Sequence, residues 1–295
     1  MSTPSTDGEP TDGAAVPDST AGNTFLGDVW VNFVRWNLKA VRNPFVLVVS
    51  LVQPIIFLIL FTQVFGGVAT GAVNSVADIT YETYLVPAIA MQVALAAAAT
   101  SGVGLVNDIE NGMFEKVLVS PMSRVGVFAG KTGAELLRIA VQIAIILVLG
   151  VVLGATIETG VLGAVGIVGV GILFSIWFTS FSNIVAVITR DQESTIIGAN
   201  LLQFPLLFVS TAFLPLEVLP GWIQTVAAFN PVTYGVDAAR AIILGRDVMT
   251  VIEVTAFGGI WDTLVPAIAV LLALDIVLGT VAVVMLRRAT SADVQ

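Results

Sequence analysis

The sequence predicts an all-α integral membrane protein: six transmembrane helices, an N-terminal amphipathic interfacial helix, and extracytoplasmic re-entrant helices between spans 5 and 6. Three observations carry that prediction. The 295-residue chain is 57% hydrophobic and only 11% charged, where a soluble globular domain carries about 25% charged residues. Apolar runs long enough to cross a bilayer recur along the chain. The bases are also segregated: ten of the twelve Lys and Arg residues fall on one side of a six-span layout, the bias that sets membrane topology.

Residues 1–24 are rich in Ser, Thr, Gly and Pro and hold Asp7, Glu9, Asp12 and Asp18 without a base. So little apolar surface cannot offset the entropy of ordering, and a disordered acidic tail is expected. The segment has neither the basic start nor the apolar centre of a signal peptide. Residues 25–295 are read as one transmembrane domain. Across 24–42, Phe25, Leu26, Val29, Trp30, Phe33, Val34 and Val41 recur at helical spacing, with Asp28, Asn32, Arg35, Lys39 and Arg42 on the other side. An amphipathic helix bearing Trp and bases is expected in the cytoplasmic interface.

Spans are expected at about 44–66, 84–106, 128–154, 161–188, 194–214 and 264–286, since roughly 20 residues rising about 1.5 Å each cross a core of about 30 Å. Pro205 interrupts the fifth, which is tolerated where neighbouring helices satisfy the freed carbonyl. Gly160, Gly163, Gly166 and Gly169, then Ser175, Thr179 and Ser182, mark the fourth and predict close helix packing. Arg35, Lys39, Arg42, Lys116, Arg124, Lys131, Arg138, Arg190, Arg287 and Arg288 share one side, leaving Arg240 and Arg246 opposite. A multi-pass protein of the plasma membrane with both termini cytoplasmic follows. Between 215 and 263, Pro215, Pro220 and Gly221 break the helix, Trp222 opens a short amphipathic piece, and Asn230-Pro231 turns the chain again. Pieces too short to span read as re-entrant or interfacial elements.

The chain contains no Cys and no His, which excludes disulfides, thiol nucleophiles and His-based catalysis or metal binding. A formal net charge of −9, without a basic stripe, speaks against nucleic acid. No catalytic constellation and no bound metal or cofactor are expected. Glu135 and Arg138 sit three apart near the start of the third span and predict a local ion pair in preference to a substrate role. Asp275, near the middle of the last span, is expensive at that depth, and structural and pathway roles both stay open. Together these three form the candidate intramembrane polar site. Gly130-Lys131-Thr132 resembles the tail of a P-loop, but the spacing GxxxxGK[ST] is not met and no strand precedes it.

Residues 107–124 read NDIENGMFEKVLVSPMSR. Ile109, Met113, Val117 and Leu118 fall on one helix face, the acids Asp108 and Glu115 lie elsewhere, and Pro121 stops the helix. Such an element between two cytoplasmic span ends either lies on the bilayer or inserts into another protein. Its acids disfavour an anionic leaflet, so docking is the better account.

The pattern D-x-E-x-G-x-x-E-K-x-L-x-x-P-x-S-R in that stretch resembles the signature after the second span of ABC-2 type permeases, the membrane subunits of ABC exporters. A second stretch, residues 204–240, is similar to the fifth span and re-entrant region of the same family, above all its daunorubicin-resistance type. There Pro215, Leu219, Pro220 and Trp222 precede Asn230, Pro231, Thr233 and Tyr234, then Asp237 and Arg240. The resemblance implies an export permease for a drug, lipid or glycan type of substrate. It pairs with a separate ATP-binding subunit that holds ATP and Mg, usually two copies of each, so that the permease is a homodimer or a heterodimer with a related chain, among membrane lipids. It also implies that the element after the second span is a coupling helix docking on the ATPase. Glu110, Gly112, Glu115, Lys116, Leu118, Pro121, Ser123 and Arg124 match its pattern, while Asp108 and Met113 stand where the family more often has a base and Thr. The rival reading is an ion-coupled secondary carrier or a channel. That class exposes several intramembrane ionisable groups as a relay, and this chain offers little beyond Asp275.

Overall fold

The computed structural model describes residues 25–42, 44–77, 79–112, 124–252 and 254–292; the acidic tail lies outside them. The described residues form helices α1 (Phe25–Arg42), α2 (Pro44–Ala77), α3 (Tyr81–Glu110), α4 (Arg124–Val152), α5 (Gly160–Thr189), α6 (Gln192–Phe208), α7 (Gly221–Ala227), α8 (Pro231–Leu244) and α9 (Ile260–Ala292), with a single 3-10 turn at Leu216–Val218.

Five of these helices hold stretches long and apolar enough to cross a membrane: Leu47–Gly67, Tyr81–Glu110, Ala129–Val152, Gly160–Thr189 and Ile260–Leu286. They coincide with expected spans 1 to 4 and 6. The segment expected as span 5 is different. Helix α6 has 17 residues, about 26 Å at a rise of about 1.5 Å, and ends at Phe208 soon after Pro205. Residues 209–215 then continue without helix. Helix α6 is thus at the short end of the range for a bilayer span, and irregular backbone takes the place of the last residues expected in span 5.

Helix α3 is the centre of the bundle. Of its most apolar stretch 78% is buried, against 22% for α2 and 6% for α9, which turn their sides outward. Helices α2, α4, α5, α6 and α8 all pack on α3. Small side chains allow this, since Ala88, Ala90, Ala94, Ala97, Ala98 and Ala99 are buried along it. The closest crossing is at Gly102, where an added Cβ would strike the backbone carbonyl of Ser182 on α5. There Ser182 Oγ donates to Ala99 O (2.6 Å) and accepts from the Gly102 amide (3.0 Å). Gly102→Ala is expected to cost about 1–3 kcal/mol by overpacking. Gly169→Ala, where nothing lies within 4 Å, should leave the thermal midpoint in detergent unchanged or raised. Equal midpoints for the two variants would refute the crossing.

The expected glycine stripe of the fourth span divides accordingly. Gly163 and Gly166 approach Ile242 of α8, whereas Gly160 and Gly169 meet nothing. Helix α1 packs on α4 with the first half of its polar side inward. Asp28 and Asn32 are 1% and 2% exposed, while Phe25, Leu26, Trp30, Val31, Leu38 and Val41 face out. The seat is Gly130, where a Cβ would run into the backbone of Val29 and Phe33.

Candidate functional site

Two clusters of polar side chains stand at opposite ends of α3. The first surrounds the start of the 108–124 segment. Helix α3 ends at Glu110, Asn111 returns its amide to Asn107 O (3.1 Å), and Gly112 adopts φ 61, the left-handed conformation that glycine supplies without strain. Asp108 Oδ2 meets Lys131 Nζ of α4 at 2.6 Å, with the two side chains 13% and 10% exposed. Lys131 also lies 5.4 Å from the Trp36 ring of α1. Glu110 accepts a hydrogen bond from Gln192 Nε2 at the start of α6. That start is capped by Asp191, which accepts the Ser194 amide at 2.8 Å; this bond holds the Asp191 carboxyl below its ordinary range. The first residues of the segment are thus fastened to α4 and α6, and Lys131 extends the contact to α1. Met113, Glu115, Lys116, Leu118, Pro121 and Ser123 lie outside the described residues, and Arg124 opens α4.

Gly130-Lys131 therefore has a structural use unrelated to nucleotide: the glycine admits α1 and the lysine holds α3. Near it, the expected Glu135–Arg138 ion pair does not form. Ser101 of α3 donates to Glu135 Oε2 (3.0 Å), and Arg138 Nη2 donates to Thr100 Oγ1 (3.0 Å) and Ala97 O (3.4 Å). Each charge finds a partner across the helix interface before it finds its neighbour on α4. Asp275, on α9 beside α5, keeps both carboxylate oxygens buried without a full hydrogen bond. The structure does not bring it together with Glu135 and Arg138, which face α3.

The second cluster closes the broken end of α6. Once Pro205 and the chain's departure at Val209 end the helix, its carbonyls need donors, because an unpaired backbone group in apolar surroundings costs several kcal/mol. Side chains supply them. Asn230 Nδ2 donates to Leu206 O and Val209 O (2.6 Å each), Tyr84 Oη to Thr211 O (2.9 Å), Arg240 Nη2 to Ala212 O (2.8 Å), and Tyr81 Oη to Phe213 O (3.2 Å).

The residues expected as a re-entrant motif mostly serve this closure. Asn230 also caps α8 by accepting the Val232 amide (2.9 Å), and Pro231 takes the first helical position, where its missing N–H is harmless. Tyr234 Oη donates to Ala228 O (2.7 Å). Arg240 and Asp237 are 3% and 0% exposed, with Nη1 3.6 Å from Oδ1. Arg240 further donates to Tyr84 O (3.1 Å), and its guanidinium carbon lies 3.5 Å from the centre of the Tyr84 ring. Thr211 Oγ1 (3.0 Å), Thr250 Oγ1 (2.7 Å) and the Thr250 amide (3.2 Å) complete the Asp237 carboxylate. Burial pushes that carboxyl upward, opposed by Arg240 and these donors. Pro215 and Leu219 flank the 3-10 turn, Pro220 leads into α7, and Trp222 is exposed on it. Thr233 is buried on α8 with its hydroxyl unbonded.

Residues 27–244 match the model of the ABC-2 type transporter family. The chain is 28% identical, over 83% of its length and 79% of the relative's, to the daunorubicin resistance ABC transporter permease protein DrrB1 of Streptomyces coeruleorubidus. It is 26% identical, over 78% of its length and 82% of the relative's, to the probable doxorubicin resistance ABC transporter permease protein DrrC of Mycobacterium tuberculosis. A putative transport permease, ycf38, of Cyanophora paradoxa is 28% identical over 73% of this chain and 74% of its own. With the apolar helices described above, the match makes the chain a multi-pass membrane protein of the ABC-2 type transporter family.

Proposed function

We propose that this chain is the membrane-spanning permease subunit of an ABC exporter. It moves an amphipathic or lipid-linked substrate, of drug, lipid or glycan type, out of the cytoplasm, powered by a separate ATP-binding subunit. The relatives named for daunorubicin and doxorubicin resistance support the export reading. The observation that carries it is the mooring of the 108–124 segment: Asp108 and Glu110 tie its start to α4 and α6, and Lys131 of α4 in turn rests on Trp36 of α1. A protein pressing on this segment therefore moves three helices, which an ATP-driven closure requires of its receiver. In this reading ATP and Mg sit on the partner, two permease copies face each other in the plasma membrane, and both termini and the segment are cytoplasmic.

Inside-out vesicles carrying the permease and its ATP-binding subunit should take up an amphipathic fluorescent drug only with ATP. Glu115→Lys should abolish both uptake and co-purification of the partner, while the permease elutes unchanged on size exclusion. Because the chain has no cysteine, Ser120→Cys provides a unique thiol, expected to react only from the cytoplasmic side. Uptake that followed an imposed ion gradient and ignored ATP would replace this reading with that of a secondary carrier.

A further inference from the structure

The polar stripe of α1 is used differently at its two ends. Asp28, Asn32, Arg35, Lys39 and Arg42 follow at intervals of three and four residues and so share one side of the helix. Asp28 and Asn32 are buried on α4, whereas Arg35, Lys39 and Arg42 are exposed. These three bases, with Leu38 between them, line an open recess of about 400 Å³. None is ion-paired with an acid among the described residues, unlike Lys131 with Asp108 and Arg240 with Asp237. Lys39 rests 4.9 Å from the Trp36 ring.

Leu38 (49%) is exposed between the bases, and Val41 (75%) is exposed on the adjoining apolar side of the same turn. Helix α2 begins at Pro44, and its spanning stretch at Leu47, so the recess stands at the mouth of the first span. Whatever fills it has an anionic head and an apolar body, delivered at the depth where a bilayer's polar layer gives way to its core.

We propose that Arg35, Lys39 and Arg42 form a binding site for the phosphate headgroup of an anionic phospholipid, with its acyl chains laid against Leu38 and Val41. Two guanidinium forks match a phosphate's oxygens in a way that scattered lysines do not. A soluble phosphate would use the bases and leave the apolar side chains bare, which is why the membrane is the source. Headgroup capture fixes the far end of a helix whose near end is seated at Gly130. The site goes beyond the export reading and stands whether or not the exported substrate is a drug.

Titration of the full-length chain in detergent, followed by native mass spectrometry, tests it with phosphatidylglycerol and phosphatidylcholine as probes. The wild type should retain phosphatidylglycerol in preference to phosphatidylcholine. R35Q/K39Q/R42Q should weaken phosphatidylglycerol at least tenfold, each base near an anionic surface contributing roughly fivefold, without changing phosphatidylcholine adducts. R35K/R42K, which keeps the charge but removes both forks, should bind phosphatidylglycerol more weakly than the wild type and more tightly than the triple variant. Equal retention of both lipids by the wild type, or undiminished phosphatidylglycerol binding by the triple variant, would overturn the proposal. Displacement of the lipid by millimolar inorganic phosphate would do the same, reassigning the recess to a soluble anion.

Discussion

Arg240→Ala is expected to destabilise the protein by about 3–5 kcal/mol, the range for removing one partner of a buried ion pair. The loss has three sources. Asp237, fully buried, is left without its counter-charge. The carbonyl of Ala212 loses its donor, worth about 1–3 kcal/mol when stranded, and the Tyr84 carbonyl, already within α3, loses a second donor. The Tyr84 ring loses the cation above it. These terms share one side chain and do not add. In detergent the change should appear as a fall of roughly 10 °C in thermal midpoint, at about 2–4 °C per kcal/mol. Arg240→Lys should fall nearly as far, because an ammonium cannot serve two carbonyls and a carboxylate at these separations. Asp237→Asn combined with Arg240→Ala should recover part of the loss, since the charge that was stranded is gone. If Arg240→Ala alone kept the wild-type midpoint, the closure of α6 would have to be carried by Asn230 and the two tyrosines.

That closure shows where sequence reasoning reaches and stops. Pro205 and Pro215 announce a broken helix, and the 230–240 stretch is legible as a motif through family likeness. Its purpose is not, because the groups it serves are backbone carbonyls, which every residue carries. Tyr81 and Tyr84 give no local signal at all: their acceptors lie 132 and 127 residues away. A tyrosine at the start of a span reads as an ordinary interfacial residue, so only three-dimensional placement identifies it as part of the lock.

Helix α1 illustrates a different limit. Its two faces are plain in the sequence, but amphipathicity beside a membrane does not say which face meets protein. In a soluble domain the apolar side turns inward. Here the interior partner is Gly130 with Lys131 nearby, so the polar residues Asp28 and Asn32 go in while Phe25, Leu26, Trp30 and Val31 go out. Glu135 and Arg138 repeat the lesson at shorter range. Their spacing suits a local pair, yet α3 offers Ser101 and Thr100 from the side, and contacts across an interface are invisible to a periodicity argument.

Breaking the Asp108–Lys131 pair is expected to have the largest functional effect. Lys131→Met leaves a carboxylate 13% exposed without its cation, and Asp108→Asn leaves the ammonium held only by the Trp36 ring. Either change costs toward the lower end of the roughly 3–5 kcal/mol seen for buried pairs, since both groups keep some access to water. The consequence for transport follows from position. The pair fastens the root of the 108–124 segment to α4, on which α1 packs beside the same lysine. With the fastening gone, an ATP-binding subunit can still grip the segment, but its movement reaches the bundle only through α3 and the Glu110–Gln192 contact, and α4 follows it less closely. Transport per ATP hydrolysed should therefore fall roughly tenfold or more, equivalent to about 1.4 kcal/mol of lost coupling, while co-purification of the partner persists. The inverted pair, D108K/K131D, restores the attraction with the charges exchanged and should regain a substantial part of both stability and coupling. Loss of the partner from the single variants would instead assign Asp108 and Lys131 to the docking surface. A double variant no better than either single one would show that the geometry around Trp36 and Gly104 tolerates the lysine only on α4, where Gly104 leaves its Nζ room at 3.5 Å from a would-be Cβ.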